Sequence, residues 1–360
     1  MCVAWKESWA ETRQHFVDWW NHTGLVVGHW GAVPRSVRRE PAMASGPARS
    51  VEYWYTQPRF RAEASHSRLA GQSFPLDILP MPETNVGPGS LALLLGSEPG
   101  FSNETVWFKP CIAPAAPENH PPLRFDPANR WLRLHEEQMR ECMALGRGKY
   151  LVGCPDLIEN IDILAALREP QLLLFDLVQR PEWVERKVWE INDTWFQSYQ
   201  RLYDIIRLPD GSSCFDAFRL WSPGKVAKVQ CDASAMFSTD MFARFVAPAL
   251  TAQCEWLDNS MFHLDGHQCI QHLDVLLGIG PLDAIEWTPD PQVPSGGSPH
   301  WYPMYRRILA AGKSVQAIGI KEREVEPLLD AVGPKGMYLM LDIATEEEAE
   351  RVARVVQRFR

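Results

Sequence analysis

Short β-forming runs alternate with amphipathic helical stretches along nearly the whole chain, and no other feature of the sequence restricts the fold as much. The runs are GLVVGHW (24–30), FPLDILP (74–80), KYLVGCP (149–155), CFDAFRLW (214–221), VAKVQCD (226–232), SMFHLDG (260–266), LDAIEW (282–287), KSVQAIGI (313–320) and MYLMLDI (337–343). Helical stretches at 130–146, 180–206, 237–259, 301–312, 322–332 and 345–358 separate many of them. Such alternation implies a parallel sheet, because parallel neighbours need a crossover long enough to hold a helix. From Val226 onward it is regular enough to favour a closed barrel over an open sheet. A doubly wound sheet would carry a glycine-rich phosphate turn, and neither G-x-G-x-x-G nor G-x-x-x-x-G-K-[ST] occurs. The expectation is an α/β protein: a single (β/α)8 TIM-type barrel over residues 1–360. Residues 1–23 form an N-terminal helix packed on it, and long loops lie at the C-terminal strand face.

A net charge of −9 argues against nucleic acid and anionic membranes as partners, since either needs a basic face. No apolar run approaches the roughly 20 residues that span a bilayer. The N-terminal stretch lacks a secretory apolar core, so a cytoplasmic location is expected. Eight cysteines contain no C-x-x-C pair, which suits neither a zinc finger nor a disulfide framework. Fifteen tryptophans are many for this length; most are expected in the core, with others walling a pocket for a flat ring, a sugar or a methylated cation. The proline-rich stretches 110–122 and 289–299 read as surface loops, the second placed where a lid would sit.

In a barrel, chemistry collects at the C-terminal strand ends. Here nearly every run ends in, carries or is directly followed by a polar group: His29, Asp77, Asp156, Asp232, His263, Asp265, Glu286 and Asp342. In FHLDGHQC, His263 and Asp265 stand two apart on a strand, so both side chains leave one face while Phe262 and Leu264 point to the helical layer. The pair can hold one metal ion, or the carboxylate can fix the imidazole tautomer; a satisfied structural histidine would look the same. Asp77 is a lone carboxylate in an apolar run, which demands either an ion pair or a catalytic role. Asp232 reads as a site residue or as a cap on the following helix. Arg35, Arg38 and Arg39 follow the first run, as an anion-holding loop or a solvated one. His29, Trp30, Asp156, Trp221, Trp287 and Arg35 are expected to contact substrate.

The segments LDILPMPETNVGPGS, YLVGCPDLIENIDILAALRE, KVQCDASAMFSTDMFARFVAPAL, FHLDGHQCIQHLDVLLGIGPLDAIEWTP and IATEEEAERVARVV resemble the uroporphyrinogen decarboxylase superfamily, over most of the chain from about Leu25 onward. That superfamily includes cobalamin-dependent (corrinoid) methyltransferases. The resemblance implies a (β/α)8 barrel with a deep cleft. It also implies that Asp77 stands for the decarboxylase's key aspartate, and Asp232 for the aspartate of its Phe-Asp-Ser-Trp segment. The decarboxylase's tyrosine would fall near Ile161 and its late histidine near Leu341–Asp342, and neither residue type is there. Its Arg-Gln-Ala-Gly-Arg signature is also missing.

The methyltransferase branch holds zinc on a His-x-Cys strand end and a later cysteine; here His263 and Asp265 occupy the strand end, with Asp342 near the last position. The implied function is transfer of a methyl group from an O- or N-methylated small molecule to a cobalamin protein. Its catalytic set is Asp77, Asp232, His263, Asp265 and Glu286, and its metal, zinc, would sit on His263, Asp265 and Asp342. Cobalamin would come from a corrinoid partner, since the chain has no D-x-H-x-x-G motif. The alternatives are a cofactor-independent decarboxylase working through Asp77, and a non-catalytic barrel that binds a tetrapyrrole or corrinoid. A monomer or homodimer is expected.

Overall fold

The computed structural model describes residues 3–31, 33–43, 46–103 and 105–360. Its strands in chain order are β1 (Leu25–Gly28), β2 (Val33–Pro34), β3 (Gln72–Ser73), β4 (Glu98–Phe101), β5 (Val106–Lys109), β6 (Gly153–Cys154), β7 (Ser213–Phe215), β8 (Leu220–Ser222), β9 (Val226–Gln230), β10 (Asn259–Asp265), β11 (Ala284–Thr288), β12 (Ser314–Ile320) and β13 (Met337–Leu341). Six of them form one all-parallel sheet in the order β1-β13-β12-β11-β10-β9. The last strand thus pairs with the first, as closure of a TIM-type barrel requires.

On the other side the ring is irregular, and the sequence says why. Run 74–80 lies where a second strand belongs: Asp77 N donates to Val27 O, and Leu151 N donates to Pro80 O. It forms no ladder, because Pro75 and Pro80 lack donors and Leu76 adopts φ +53°. Run 149–155 keeps only the two-residue β6, parallel to β7. Run 214–221 is not one strand but the hairpin β7–β8, antiparallel around a tip at 216–219. Its tip residues Phe218 and Arg219 take φ +60° and +52°, which is strained for side chains of that size.

The hairpin fills the barrel axis. Phe218 O accepts from Gln316 Nε2 (2.9 Å), Arg219 O accepts from Tyr338 Oη (3.1 Å), and the Phe218 ring lies 5.0 Å from Trp30 and 4.7 Å from His263. One tip therefore touches residues on or beside β1, β10, β12 and β13.

The N-terminal helix α1 (Trp9–Trp20) closes the opposite end. Its buried face is Trp9, Thr12, Phe16, Trp19 and Trp20, spaced for one side of a helix. Trp19 Nε1 donates to Gly336 O (3.1 Å) just ahead of β13, and Phe16 and Trp19 meet Tyr338 edge-on at 5.5 and 5.4 Å. Among the described residues, no helix is long and apolar enough to cross a membrane.

Candidate metal centre at the C-terminal strand ends

The parallel register places His263 of β10 beside Gln230 of β9 on one side and Glu286 of β11 on the other. Alternation then turns Lys228, Gln230, His263, Asp265 and Glu286 to the barrel interior. Phe262 faces outward and meets Phe242 of the neighbouring helix at 6.2 Å.

Asp232, His263 and Asp265 each bring one ligand atom within 4.8 Å of the others. Donors on one ion, each roughly 2.0–2.2 Å from it, stand about 3–4 Å apart, so small rotamer adjustments would close the set. His263 is prepared for that role. Its Nδ1 is hydrogen-bonded to the fully buried Glu286 carboxylate, whose other oxygen accepts from Thr288 Oγ1 (2.7 Å). The Nδ1 contact leaves Nε2 as the free ligand atom, in the carboxylate–histidine arrangement usual behind metal-bound imidazoles. Burial pulls the His263 pKa down, but the charge and hydrogen bond of Glu286 outweigh it and raise it above the ordinary value.

Negative charge is concentrated here. Asp162 accepts from the backbone N–H groups of Asp232 (2.8 Å) and Ala233 (2.9 Å), and the Gln230 amide reaches both Asp162 (3.0 Å) and Asp232 (2.7 Å). Burial, with Asp162 beside it, pushes the Asp232 carboxyl up to about 7. The buried ammonium of Lys228 is committed to Asp156 at 2.8 Å. Two carboxylates and a clamped imidazole short of a cation fit a divalent ion that accepts hard oxygen and nitrogen donors.

Asp342 is not part of this cluster. It is exposed at the end of β13, and Asp232 supplies the third donor in its place. Asp77, expected in the same bowl, is turned to the other end. Its carboxylate accepts from Val27 N (2.9 Å) and Thr12 Oγ1 (3.3 Å), and pairs with His15 of α1 (2.7 Å) and with Arg360 at the chain end. Besides Val27 of β1, these partners lie on α1 and on the segment that follows the last helix (Glu346–Val356), so the residue ties both segments to the barrel. Asp77 is thus ion-paired in the interior, the first of the two readings its apolar run allowed.

Of the tryptophans expected at substrate, Trp221 is fully buried against Trp9 (5.8 Å) and Phe16 (6.4 Å) of α1. Trp287 faces outward against Trp301 (4.6 Å). Both are core residues. Trp30 is half-buried next to Phe218 and stays at the mouth. His29 Nδ1 is bonded to Leu341 O (2.5 Å). Arg35 lines a separate cleft of about 430 Å³ with Trp5, Arg39, Phe74 and Glu346, whose lining contains none of the three donors.

No protein-family model matches the chain, and no curated protein matches it. Eighteen solved chains do match in structure. Among them is a methyltransferase from Methanosarcina mazei, 10% identical, with a TM-score of 0.62 over 97% of this chain and 98% of that one. The likeness is one of fold.

Lys228, Gln230 and Asp162 did not emerge from the strand-end reading. The first two alternate within VAKVQ, so an inward polar pair was there to be seen. Asp162 is on a helix, and only the tertiary fold brings it to Asp232.

Proposed function

We propose that the chain is a metal-dependent methyltransferase that moves a methyl group from an O- or N-methylated small molecule to a cobalamin held by a separate corrinoid protein. The observation that carries this reading is the His263 imidazole, clamped through Nδ1 by buried Glu286 with Asp232 and Asp265 in reach of its neighbourhood. The fold shared with a methyltransferase supports it.

The methyl group departs without its bonding electrons, so charge builds on the oxygen or nitrogen left behind, and these are poor leaving groups unless that charge is met. A divalent ion, when bound, would supply Lewis-acid polarisation there. Asp232, His263 and Asp265 would hold it, Glu286 fixes the imidazole, and Gln230 keeps the Asp232 carboxylate oriented. Phe218 and Trp30 provide the apolar wall that keeps water from the acceptor side.

The test is formation of methylcobalamin from cob(I)alamin by the purified, zinc-supplemented protein over a panel of O- and N-methyl donors, followed by absorbance. Methyl transfer that disappears in His263→Ala supports the reading, and silence over the whole panel rejects it.

A further inference from the structure

Arg61, on the helix α3 (Pro58–Ala70), is 1% exposed, and none of its three guanidinium nitrogens has a hydrogen-bond partner. A guanidinium does not escape by losing its proton, so a bare one in the interior signals a missing acceptor. Its surroundings show what is missing. The rings of Trp54 and Tyr55, from α2 (Val51–Thr56), flank it at 5.8 and 5.1 Å. Glu83 comes no nearer than 3.9 Å and is half exposed. The buried Asp216 is occupied by Arg219 (2.9 Å) and by Thr84 N (2.8 Å).

His135 gives its Nδ1 to Trp131 O (2.8 Å), and burial drives its pKa down to about 4, so it is neutral. Burial holds the Cys142 thiol protonated, pushed up to about 12. Arg68, two turns further along α3, is exposed, and its guanidinium has no hydrogen-bond or ion-pair partner among the described residues; Arg219 and Arg61 repel it while Glu83 and Asp216 attract it. Arg219 takes Asp216, Glu83 stays 3.9 Å from Arg61, and the buried Arg61 guanidinium is left without a hydrogen-bond acceptor.

Through Asp216 and Arg219 the cluster adjoins the hairpin tip beside the metal centre. Glu83 and Thr84 follow the strand-like segment 77–80, Arg219 Nε donates to Trp30 O (3.1 Å), and the adjacent Phe218 ring packs on His263 at 4.7 Å.

We propose that Arg61 and Arg68, with Arg219 at the hairpin tip, form an anion subsite that takes the carboxylate of a small organic acid, and that the methyl donor therefore carries a carboxylate. The second half rests on the methyl-transfer reading; the first does not. A monoanion supplies the acceptor that Arg61 lacks, and the planar carboxylate matches the guanidinium fork. Trp54 and Tyr55 supply a flat apolar flank.

The experiment is calorimetric titration of the metal-free full chain with benzoate and with the isosteric neutral benzamide, on wild type, Arg61→Met and Arg68→Met. Benzoate should bind about tenfold or more tightly than benzamide, and added salt should weaken it. Arg61→Met should remove that preference. Arg68→Met, at a less buried position, should weaken benzoate several-fold while melting as the wild type does. Equal binding of the two probes, binding of neither, or wild-type benzoate affinity in a folded Arg68→Met would overturn the subsite. Because no methyl group moves in this assay, a chain inactive in methyl transfer that still prefers benzoate would retain the subsite and lose only the proposed reaction.

Discussion

Glu286 of β11 and His263 of β10 stand opposite each other in register, and the buried carboxylate holds Nδ1 of the imidazole. Everything the site can do as a ligand set depends on that pairing, because it decides which ring nitrogen is left to face Asp232 and Asp265. Replacing Glu286 by Gln keeps the volume but removes the charge that raises imidazole basicity. Zinc affinity should fall about 10- to 100-fold, measured by competition with a chromophoric chelator, with the far-ultraviolet spectrum unchanged.

The donor set itself distinguishes aspartates that look alike in sequence. Asp232→Asn and Asp265→Asn should each lower bound metal well below one equivalent by mass spectrometry. Asp342→Asn should leave it at the wild-type level, since that carboxylate is exposed at the end of β13.

Asp77 should matter for stability and not for metal. Burial tends to raise its pKa, but the His15 hydrogen bond and the charges of Arg360 and Lys6 outweigh that and hold it below the usual carboxylate value. A lowered folded-state pKa contributes stability that is complete above the ordinary value and is lost as pH falls through the folded one. Asp77→Asn removes the buried charge that faces Lys6, His15 and Arg360 and should cost about 3 kcal/mol at neutral pH. The gap from wild type in urea melts should narrow as the pH drops below 4 on the carboxylate scale, while metal content stays constant.

Phe218 covers one face of His263 from a strained backbone position. Phe218→Ala should leave the melting temperature close to wild type, because part of the strain and part of the packing are lost together. A chelator should then strip zinc several-fold faster in stopped-flow. An unchanged rate would mean that the hairpin tip does not control access.

The sequence by itself determined the α/β class, the parallel sheet and the inward face of β10. These follow from local facts: apolar periodicity, the crossovers that parallel strands need, and the two-residue repeat that puts His263 and Asp265 on one side. Partnership was decided only by the tertiary structure. Whether Asp77 meets α1 and Arg360 or the metal donors depends on which end of the barrel its side chain faces, and 77–80 carries no ladder periodicity to show it. Likewise Asp232 replaced Asp342, run 214–221 doubled back as a hairpin, and Arg61 lost every acceptor, because burial and charge balance are sums over residues far apart in the chain. Such sums exist only once the ring has closed.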